Sequence, residues 1–287
     1  MLLENNGDWF VDGTFYTVPL IYTQLFTIHV KLPGGKIIPC VYVFLPNKTQ
    51  ISYTQALRQI SNLHPNLFPR TILIDFELAI KNSLEAVFPG VLVKGCYFHF
   101  TRNIWRKIQA NGLQEQYQED VHFVTEVRMI AALAFVPEID VRRFFNILSD
   151  NVNPSLDVIL DYIEEFYIGM VRRGQQRRPR FEYSMWGVLD RVLDDLPRTN
   201  NAVEGWQNRF NRHVRCQHAD IWKITDIIQK EEDLSRVELI HIEQGRHLAN
   251  PNPVYVRVNE RIEAAVQQYG NVEPLDYLRR IAYNITV

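Results

Sequence analysis

The chain has 287 residues, 46% of them apolar, which suffices for one large folded domain or for a core domain with an insertion. Its 31 Lys and Arg residues nearly balance 33 Asp and Glu residues, giving a net charge of −2, so any contact with nucleic acid must use local clusters of positive charge. Three scattered cysteines do not form a disulfide framework, and no apolar run approaches the roughly 20 residues that a membrane helix needs.

The first third of the chain alternates between strand and helix patterns. In chain order these predict strands at 9–18, 22–31 and 36–45, a helix at about 52–63, a strand at 71–75, a helix at 77–87, a strand at 91–94 and a helix at about 98–110. Pro33-Gly34-Gly35 predicts the turn between the second and third strands, and Ser52 to Gln55 matches a capping box that opens the first helix. The order βββαβαβα is typical of a ribonuclease H-like domain, an α/β (α+β) fold that we expect to contain a mixed five-stranded sheet.

The pattern becomes purely helical after residue 111. Predicted helices cover 115–135, 139–148, 154–171, 181–196, 201–215, 219–245, 256–269 and 275–284. We therefore expect residues 1–111 to form the first part of the core, 112–198 an all-helical insertion, 199–225 the last part of the core, and 226–287 a set of C-terminal helices.

Three acidic residues occupy distinctive places in this pattern. Asp12 lies in the first strand, Asp75 ends the fourth, and Glu204 lies near the start of a late helix. Acids placed in this way can converge and hold two divalent cations for phosphodiester chemistry. Carboxylate oxygens suit Mg²⁺. We therefore expect Asp12, Asp75 and Glu204 to be catalytic and to bind two Mg²⁺ or Mn²⁺ ions.

Each acid also has a purely structural interpretation. Asp12-Gly13 between apolar stretches is typical of a type I′ hairpin turn, and Asp75 stands where an Asp commonly caps the following helix. Glu204, three residues after Asn201, fits the second half of a capping arrangement. None of these alternatives requires the three acids to lie on neighbouring elements. Their joint placement therefore favours catalysis, with Glu77 either facing solvent or supporting the site.

Further short stretches accompany the acids. In chain order they are Asp12-Gly13-Thr14-Phe15 with Pro19, Leu45-Pro46-Asn47-Lys48-Thr49 with Tyr53, Asp75-Phe76-Glu77 with Phe88-Pro89, Gly95-Cys96-Tyr97-Phe98-His99-Phe100, Gly112-Leu113 with Tyr117, Thr199-Asn200-Asn201 to Glu204-Gly205-Trp206, and His218-Ala219-Asp220-Ile221-Trp222. Through them, residues from about 8 to about 225 resemble the catalytic domain of a Mutator-like (MULE) transposase of the DDE superfamily.

The resemblance implies a metal-dependent DNA transposase, an endonuclease that cuts DNA and joins the ends, with Asp12, Asp75 and Glu204 at the catalytic positions. It also implies double-stranded DNA as the partner, at transposon ends and at the target, and a homodimer or larger assembly in the active complex. A rival from another class is a domesticated derivative that binds DNA or protein without cutting, although the intact acids argue against it. The first residues lack the features of a signal peptide, so we expect a nuclear protein with no membrane partner.

A second set of candidate residues contains cysteine and histidine. Cys96 and His99 have the spacing of half a zinc site, which Cys216 with His218 or His213 could complete. Residues three apart also share one face of a helix, so packing or a supporting position beside the acids is the alternative. We expect magnesium rather than zinc.

Three groups of basic residues are the candidates for contact with DNA phosphates. They are Arg102, Arg106 and Lys107; Arg172, Arg173, Arg177, Arg178 and Arg180; and Arg209 and Arg212. The second group forms a dense arginine loop inside the predicted insertion, and a solvated connection is its alternative interpretation.

Overall fold

The computed structural model describes residues 7–32, 35–172, 174–245 and 253–287. The chain forms two compact units, Met1–Lys94 with Thr199–Asn250 and Gly95–Arg198 with Pro251–Val287. No helix in the described ranges has the length and apolar character needed to cross a membrane.

The strands are β1 (Asp8–Thr14), β2 (Gln24–Lys31), β3 (Ile37–Leu45), β4 (Thr71–Ile74), β5 (Leu92–Gly95), β6 (Val171–Arg172) and β7 (Gln175–Gln176). The α-helices are α1 (Gln50–Leu63), α2 (Leu78–Val87), α3 (Tyr97–Ala110), α4 (Gln114–Glu119), α5 (Val121–Ala132), α6 (Glu138–Ser149), α7 (Asp157–Ile163), α8 (Tyr183–Trp186), α9 (Leu189–Leu193), α10 (Asn201–Val214), α11 (Ile221–Glu243), α12 (Pro253–Val266) and α13 (Pro274–Ala282).

The first unit is built on a mixed five-stranded sheet in the order β3-β2-β1-β4-β5. Strand β2 is antiparallel to both β1 and β3, whereas β4 is parallel to β1. This sheet and its helices confirm the predicted ribonuclease H-like α+β core. The strands β1 and β4 are buried along most of their length, which is why they appear in the sequence as nearly continuous apolar runs.

Helices cover both faces of this sheet. On one face, Trp9 packs edge-on against Phe88 at 5.4 Å and Phe26 contacts Tyr53 of α1 at 5.6 Å between ring centroids. On the other face, Trp206 of α10 packs against His29, with the ring centroids 5.0 Å apart. The central strand β1 is therefore buried between helical layers, and α10 covers one of its faces.

Some predicted boundaries of the first unit need correction. Strand β1 ends at Thr14 rather than at residue 18, because the Thr14 and Thr17 hydroxyls turn toward Asn211 on α10. Helix α1 begins at Gln50, and its cap is Thr49, whose hydroxyl accepts from the Ser52 amide, so the predicted capping box is wrong. Of the predicted turn at 33–35, residues 33 and 34 lie outside the described residues.

The second unit is mainly helical and has an aromatic centre. Phe100 packs against Tyr167 and Trp186, with ring centroids 4.9 and 5.4 Å away, and the Trp186 indole donates to the Tyr167 carbonyl at 3.1 Å. Helix α3, which the order βββαβαβα assigns to the core, groups with this unit.

The prediction of an all-helical insertion is wrong in one detail. Strands β6 and β7 form a separate two-stranded hairpin within the arginine loop, where Val171 pairs with Gln176. The central sheet takes no strand from 112–198 among the residues described there. A predicted long helix is also divided at Asp120, because the Asp120 carboxylate accepts from the His122 and Phe123 amides and starts a new helix.

Candidate active site

Asp12 and Asp75 stand at the same level of two neighbouring parallel strands. The register of β1 and β4 pairs Trp9 with Ile72 and Phe10 with Leu73. Asp12 follows Phe10 by two residues and Asp75 follows Leu73 by two, so the same register brings both acids to the carboxyl ends of these strands. Residues two apart on a strand share a face. Asp12 therefore lies on the face of the sheet that carries Phe10.

Hydrogen bonds fix the backbone at Asp12. The Gly13 amide donates to Asp12 Oδ1 at 2.7 Å, and the Thr27 hydroxyl on β2 donates to the Asp12 carbonyl at 3.2 Å. His29 Nε2 lies 2.9 Å from the same hydroxyl oxygen, which has already donated its proton, so the imidazole must be the donor there. Asp12 and Gly13 lie inside β1, opposite Thr27 and Phe26, and the hairpin-turn interpretation of this pair is therefore wrong.

Asp75 is the first residue after β4 and is partly buried. Helix α2 begins three residues later, at Leu78, and the residue in its capping position is Glu77, whose side chain makes no capping hydrogen bond. The interpretation of Asp75 as the helix cap is therefore wrong. Its position is set by the strand that precedes it.

Helix α10 presents Glu204 on the stripe that faces β1. The Asn200 amide group, at the cap of α10, donates to the Val11 carbonyl at 3.4 Å, and Asn211 accepts from the Thr14 hydroxyl at 3.3 Å. Glu204 follows Asn200 by four residues and precedes Asn211 by seven, which are about one and two helical turns. Glu204 therefore lies along the part of β1 between Val11 and Thr14, which contains Asp12.

The apolar contacts beneath the acids agree with this arrangement. Phe10, Leu73 and Val203 form one buried cluster, in which each residue belongs to a different element. Asp12 and Asp75 each lie two residues beyond a member of this cluster, and Glu204 is next to the third. The capping interpretation of Glu204 is wrong, because Asn200 rather than Asn201 is the cap and its side chain is directed to β1.

Glu77 lies in a polar network on the same unit. Lys48 Nζ is 3.0 Å from the Glu77 carboxylate, and Gln24 Nε2 donates to the Tyr53 hydroxyl at 2.6 Å. Burial raises the pKa of Tyr53, and a hydrogen bond to Glu77 and the charges of Glu77 and Asp75 contribute in the same direction. Tyr53 therefore stays protonated, and Glu77 has Lys48 as its ionic partner. Whether Glu77 supports the acids stays a prediction.

Residues 9–103 match the model of the MULE transposase domain family. This segment is therefore similar to MULE transposase domains. It runs from β1 into α3 and includes Asp12, Asp75, Cys96 and His99, whereas Glu204 lies beyond it. Transposases act on DNA, so the match implies a transposase-related function and interaction with DNA in general. No curated protein matches the chain.

The Cys and His candidates lie in different settings. Cys96 is buried at the cap of α3 and His99 is partly buried on its first turn. His218 is exposed, and its Nδ1 donates to the Val18 carbonyl at 3.0 Å. In the described ranges, no group of three or more His, Cys, Asp or Glu side chains has the arrangement of a metal site. The clustering of the three carboxyl groups and the zinc alternative both stay predictions.

The first group of basic candidates lies on α3. Arg102 and Arg106 are exposed there, and Lys107 Nζ lies 4.6 Å from the centroid of the Tyr162 ring. In the arginine loop, Arg177, Arg178 and Arg180 are exposed, and Arg180 lies over the rings of Phe166 and Phe181. The Arg172 side chain and the whole of Arg173 lie outside the described residues.

Sequence reasoning missed Glu231, which determines the setting of Arg209. Only 2% of Glu231 is exposed, and its carboxylate accepts from the Trp206 indole at 2.8 Å and from Arg209 at 3.0 Å. His213 Nδ1 lies 3.3 Å from the second oxygen. Arg212, by contrast, is exposed. The signal was present in the sequence, since Glu231 continues the buried spacing of Ile224 and Ile227 on α11.

Proposed function

We propose that this chain is the catalytic part of a DDE-type transposase that cuts DNA phosphodiesters and joins the ends, using Asp12, Asp75 and Glu204 to bind two Mg²⁺ or Mn²⁺ ions. The observation that supports the proposal is the parallel register of β1 and β4, in which Phe10 pairs with Leu73, two residues before Asp12 and Asp75 respectively. A nuclear location and an assembly of two or more copies belong to the same proposal.

The chemistry of the donor set fits magnesium. Carboxylates offer hard oxygen ligands, and the phosphate oxygens of a DNA substrate would complete such a site. When bound, the two ions activate the attacking water or 3′-hydroxyl and stabilise the departing oxygen.

The residues of the chain would hold and orient this site. The Gly13 amide holds one oxygen of Asp12, and the Thr27 hydroxyl fixes the backbone behind it. Asn200 ties the first turn of α10 to β1, so the position of Glu204 depends on the same strand as Asp12. Such prior positioning lowers the reorganisation that the reaction would otherwise require.

The test is a DNA nicking assay with Mg²⁺ or Mn²⁺. We expect Asp12→Asn, Asp75→Asn and Glu204→Gln to lower the rate by about a thousandfold or more, since each removes a carboxylate that would hold the metal ions. The unfolding free energy in the absence of metal should change little or rise, because like charges in a metal-free site repel one another. Stabilisation of the wild type by Mn²⁺ in thermal melting should be lost in all three variants.

Asp8→Asn is the matched control. Asp8 lies on the same strand pair as Asp12 but at the opposite end, next to Thr71 and 3.2 Å from Arg70. Its substitution should leave nicking and stabilisation by Mn²⁺ unchanged. Full activity in the Asp75→Asn protein would place the chemistry elsewhere, and a wild type that binds DNA but never nicks it would instead indicate a domesticated binding protein.

A further inference from the structure

Among the described residues of the first unit, two segments that hydrogen-bond to each other carry large aromatic side chains exposed to solvent, namely Phe15, Tyr16 and Trp222. The exposed fractions are 45% for Phe15, 53% for Tyr16 and 81% for Trp222. Tryptophan is usually well buried in a folded protein, so an exposed one on a defined helix marks a surface that binds something. We call these three residues the aromatic platform.

Phe15 and Tyr16 directly follow the strand that carries Asp12. The segment after them is anchored, since Thr17 and Val18 are buried and the Thr17 hydroxyl donates to Asn211 at 3.1 Å. The exposed rings therefore do not belong to a loose loop. They are presented by a backbone that is held to α10.

Trp222 belongs to the segment that pairs with this loop. The His218 amide donates to the Tyr16 carbonyl and the Ala219 amide to the Thr17 carbonyl, each at 3.2 Å. Trp222 follows three residues after Ala219, in the first turn of α11, whose cap Asp220 accepts from the Lys223 amide at 2.9 Å. Backbone hydrogen bonds thus join the two segments that carry the platform.

Basic side chains accompany these rings. Lys48 Nζ lies 4.7 Å from the centroid of the Phe15 ring. On the paired segment, Arg215 and Lys223 are exposed, and Arg215 has a left-handed backbone with φ of 60° between α10 and α11. Exposed rings interleaved with cations are typical of surfaces that bind single-stranded nucleic acid, because the rings stack on bases and the cations contact phosphates.

We propose that the aromatic platform stacks with unpaired bases of the DNA strand beside the phosphate that is cut. This inference rests on the proposed function for its location, since Phe15 follows Asp12 by only three residues. It adds the class of substrate that the site prefers, which is DNA whose bases are unpaired next to the reactive position. Stacking tolerates any sequence, because every base has a π-face.

The experiment compares two DNA probes without divalent cations. One is a fully paired duplex, and the other is the same duplex with a single-stranded tail that contains the fluorescent adenine analogue aminopurine. Wild-type protein should bind the tailed DNA more tightly and quench the aminopurine. Phe15→Ala, Tyr16→Ala and Trp222→Ala should each weaken binding of tailed DNA by about tenfold and leave binding of paired DNA unchanged.

Two further sets of variants serve as controls. Tyr16→Phe and Trp222→Phe retain a ring and should restore most of the quenching and affinity. Phe68→Ala removes a side chain that is 80% exposed and precedes β4, at the end of that strand opposite Asp75, so it should have no effect. Thermal melting of every variant establishes that it is folded.

The outcomes separate this inference from the proposed function. Equal affinity of the alanine variants for tailed DNA, or an equal loss for both probes, overturns the platform even if acid-dependent nicking is present. A change in self-association without any change in DNA binding also overturns it, in favour of a protein contact. If stacking occurs as expected but no nicking is seen with Mg²⁺ or Mn²⁺, the platform stands and the catalytic proposal fails.

Discussion

The acid-bearing face of the first unit and the arginine loop of the second unit, whose strands β6 and β7 form a hairpin, differ in how firmly they hold their charged side chains. Asp12 is 8% exposed, with its backbone fixed by Thr27 and its neighbour Val11 tied to α10 through Asn200. In the hairpin, Arg178 is 92% exposed and its nearest acid, Glu182, is 4.0 Å away.

This difference shows that the two kinds of charged side chain need to be positioned with different precision. A group that must meet others within a few ångströms is held by strand register and a packed helix, so its surroundings tolerate little change. A group that attracts a polyanion needs only to be present on an accessible surface, because the attraction acts over about the Debye length. Substitutions of the packed residues around the acids should therefore affect folding strongly, and substitutions in the arginine loop weakly.

The largest effect is expected from Gly13→Ala. A Cβ at residue 13 would lie 2.5 Å from Gln24 Oε1, in a strand beside Asp12, so the side chain of Gln24 and its hydrogen bond to Tyr53 must shift. We expect the free energy of unfolding to fall by about 2 kcal/mol. Denaturant unfolding measures it.

Gly205→Ala provides the control for that change. A Cβ at residue 205 meets no atom within 4 Å, and the residue lies inside α10. Alanine should therefore stabilise the helix, by up to about 1 kcal/mol. Equal destabilisation by both substitutions would contradict the tight fit at Gly13.

The next effect concerns acid and His29. Burial lowers the pKa of His29 to about 3, well below its ordinary value of 6.5. Between these values the unfolded chain binds the proton and the folded chain does not, so stability is complete above about pH 6.5 and falls as the pH drops toward 3. The slope should be about 1.4 kcal/mol per pH unit.

A His29→Gln variant isolates this contribution. Its stability at neutral pH should be lower than that of the wild type, because His29 packs on Trp206 and hydrogen-bonds Thr27. Its dependence on pH above about pH 5 should be flatter, since Asp and Glu titrate mostly below that range. Unfolding titrations at several pH values give both slopes, and identical slopes would show that another group carries the proton.

The smallest change in stability is expected in the arginine loop. Replacing Arg177, Arg178 and Arg180 together by Ala should change the free energy of unfolding by less than about 0.5 kcal/mol per site, because these side chains are exposed. DNA affinity should fall about equally for unrelated sequences, and its salt dependence should flatten by about one unit of slope for each phosphate that the variant no longer binds. Unchanged affinity and slope would identify the hairpin as a solvated connection and direct attention to Arg102, Arg106 and Arg212.

The sequence predicted the parts of the fold that depend on local patterns. The buried run Thr71–Ile74 is entirely apolar apart from its first residue, so its length located Asp75 at the end of a strand. The end of β1 could not be predicted in the same way. It depends on Asn211, which is 197 residues from Thr14 along the chain.

The candidate acids could be proposed from the sequence, whereas the residues that position them could not. The three carboxylates stand in short, distinctive contexts, whereas Asn200, Tyr53 and Glu231 act through partners on distant segments. No periodicity of a single segment identifies such partners. The division of the predicted long helix at Asp120 was visible in principle, since an Asp followed by a fresh apolar pattern is a standard helix start.

The shared register of β1 and β4 also limits where residues can be inserted or deleted. From Asp8 to Asp12 and from Thr71 to Asp75 the chain takes the same number of steps, so one extra residue in either strand would move one acid by about 3.3 Å and turn it to the other face. The exposed connection at 64–66 carries no such requirement and should accept added residues. In any protein with this core, the connecting segments between these two acids can therefore vary in length, while the number of residues within β1 and within β4 cannot.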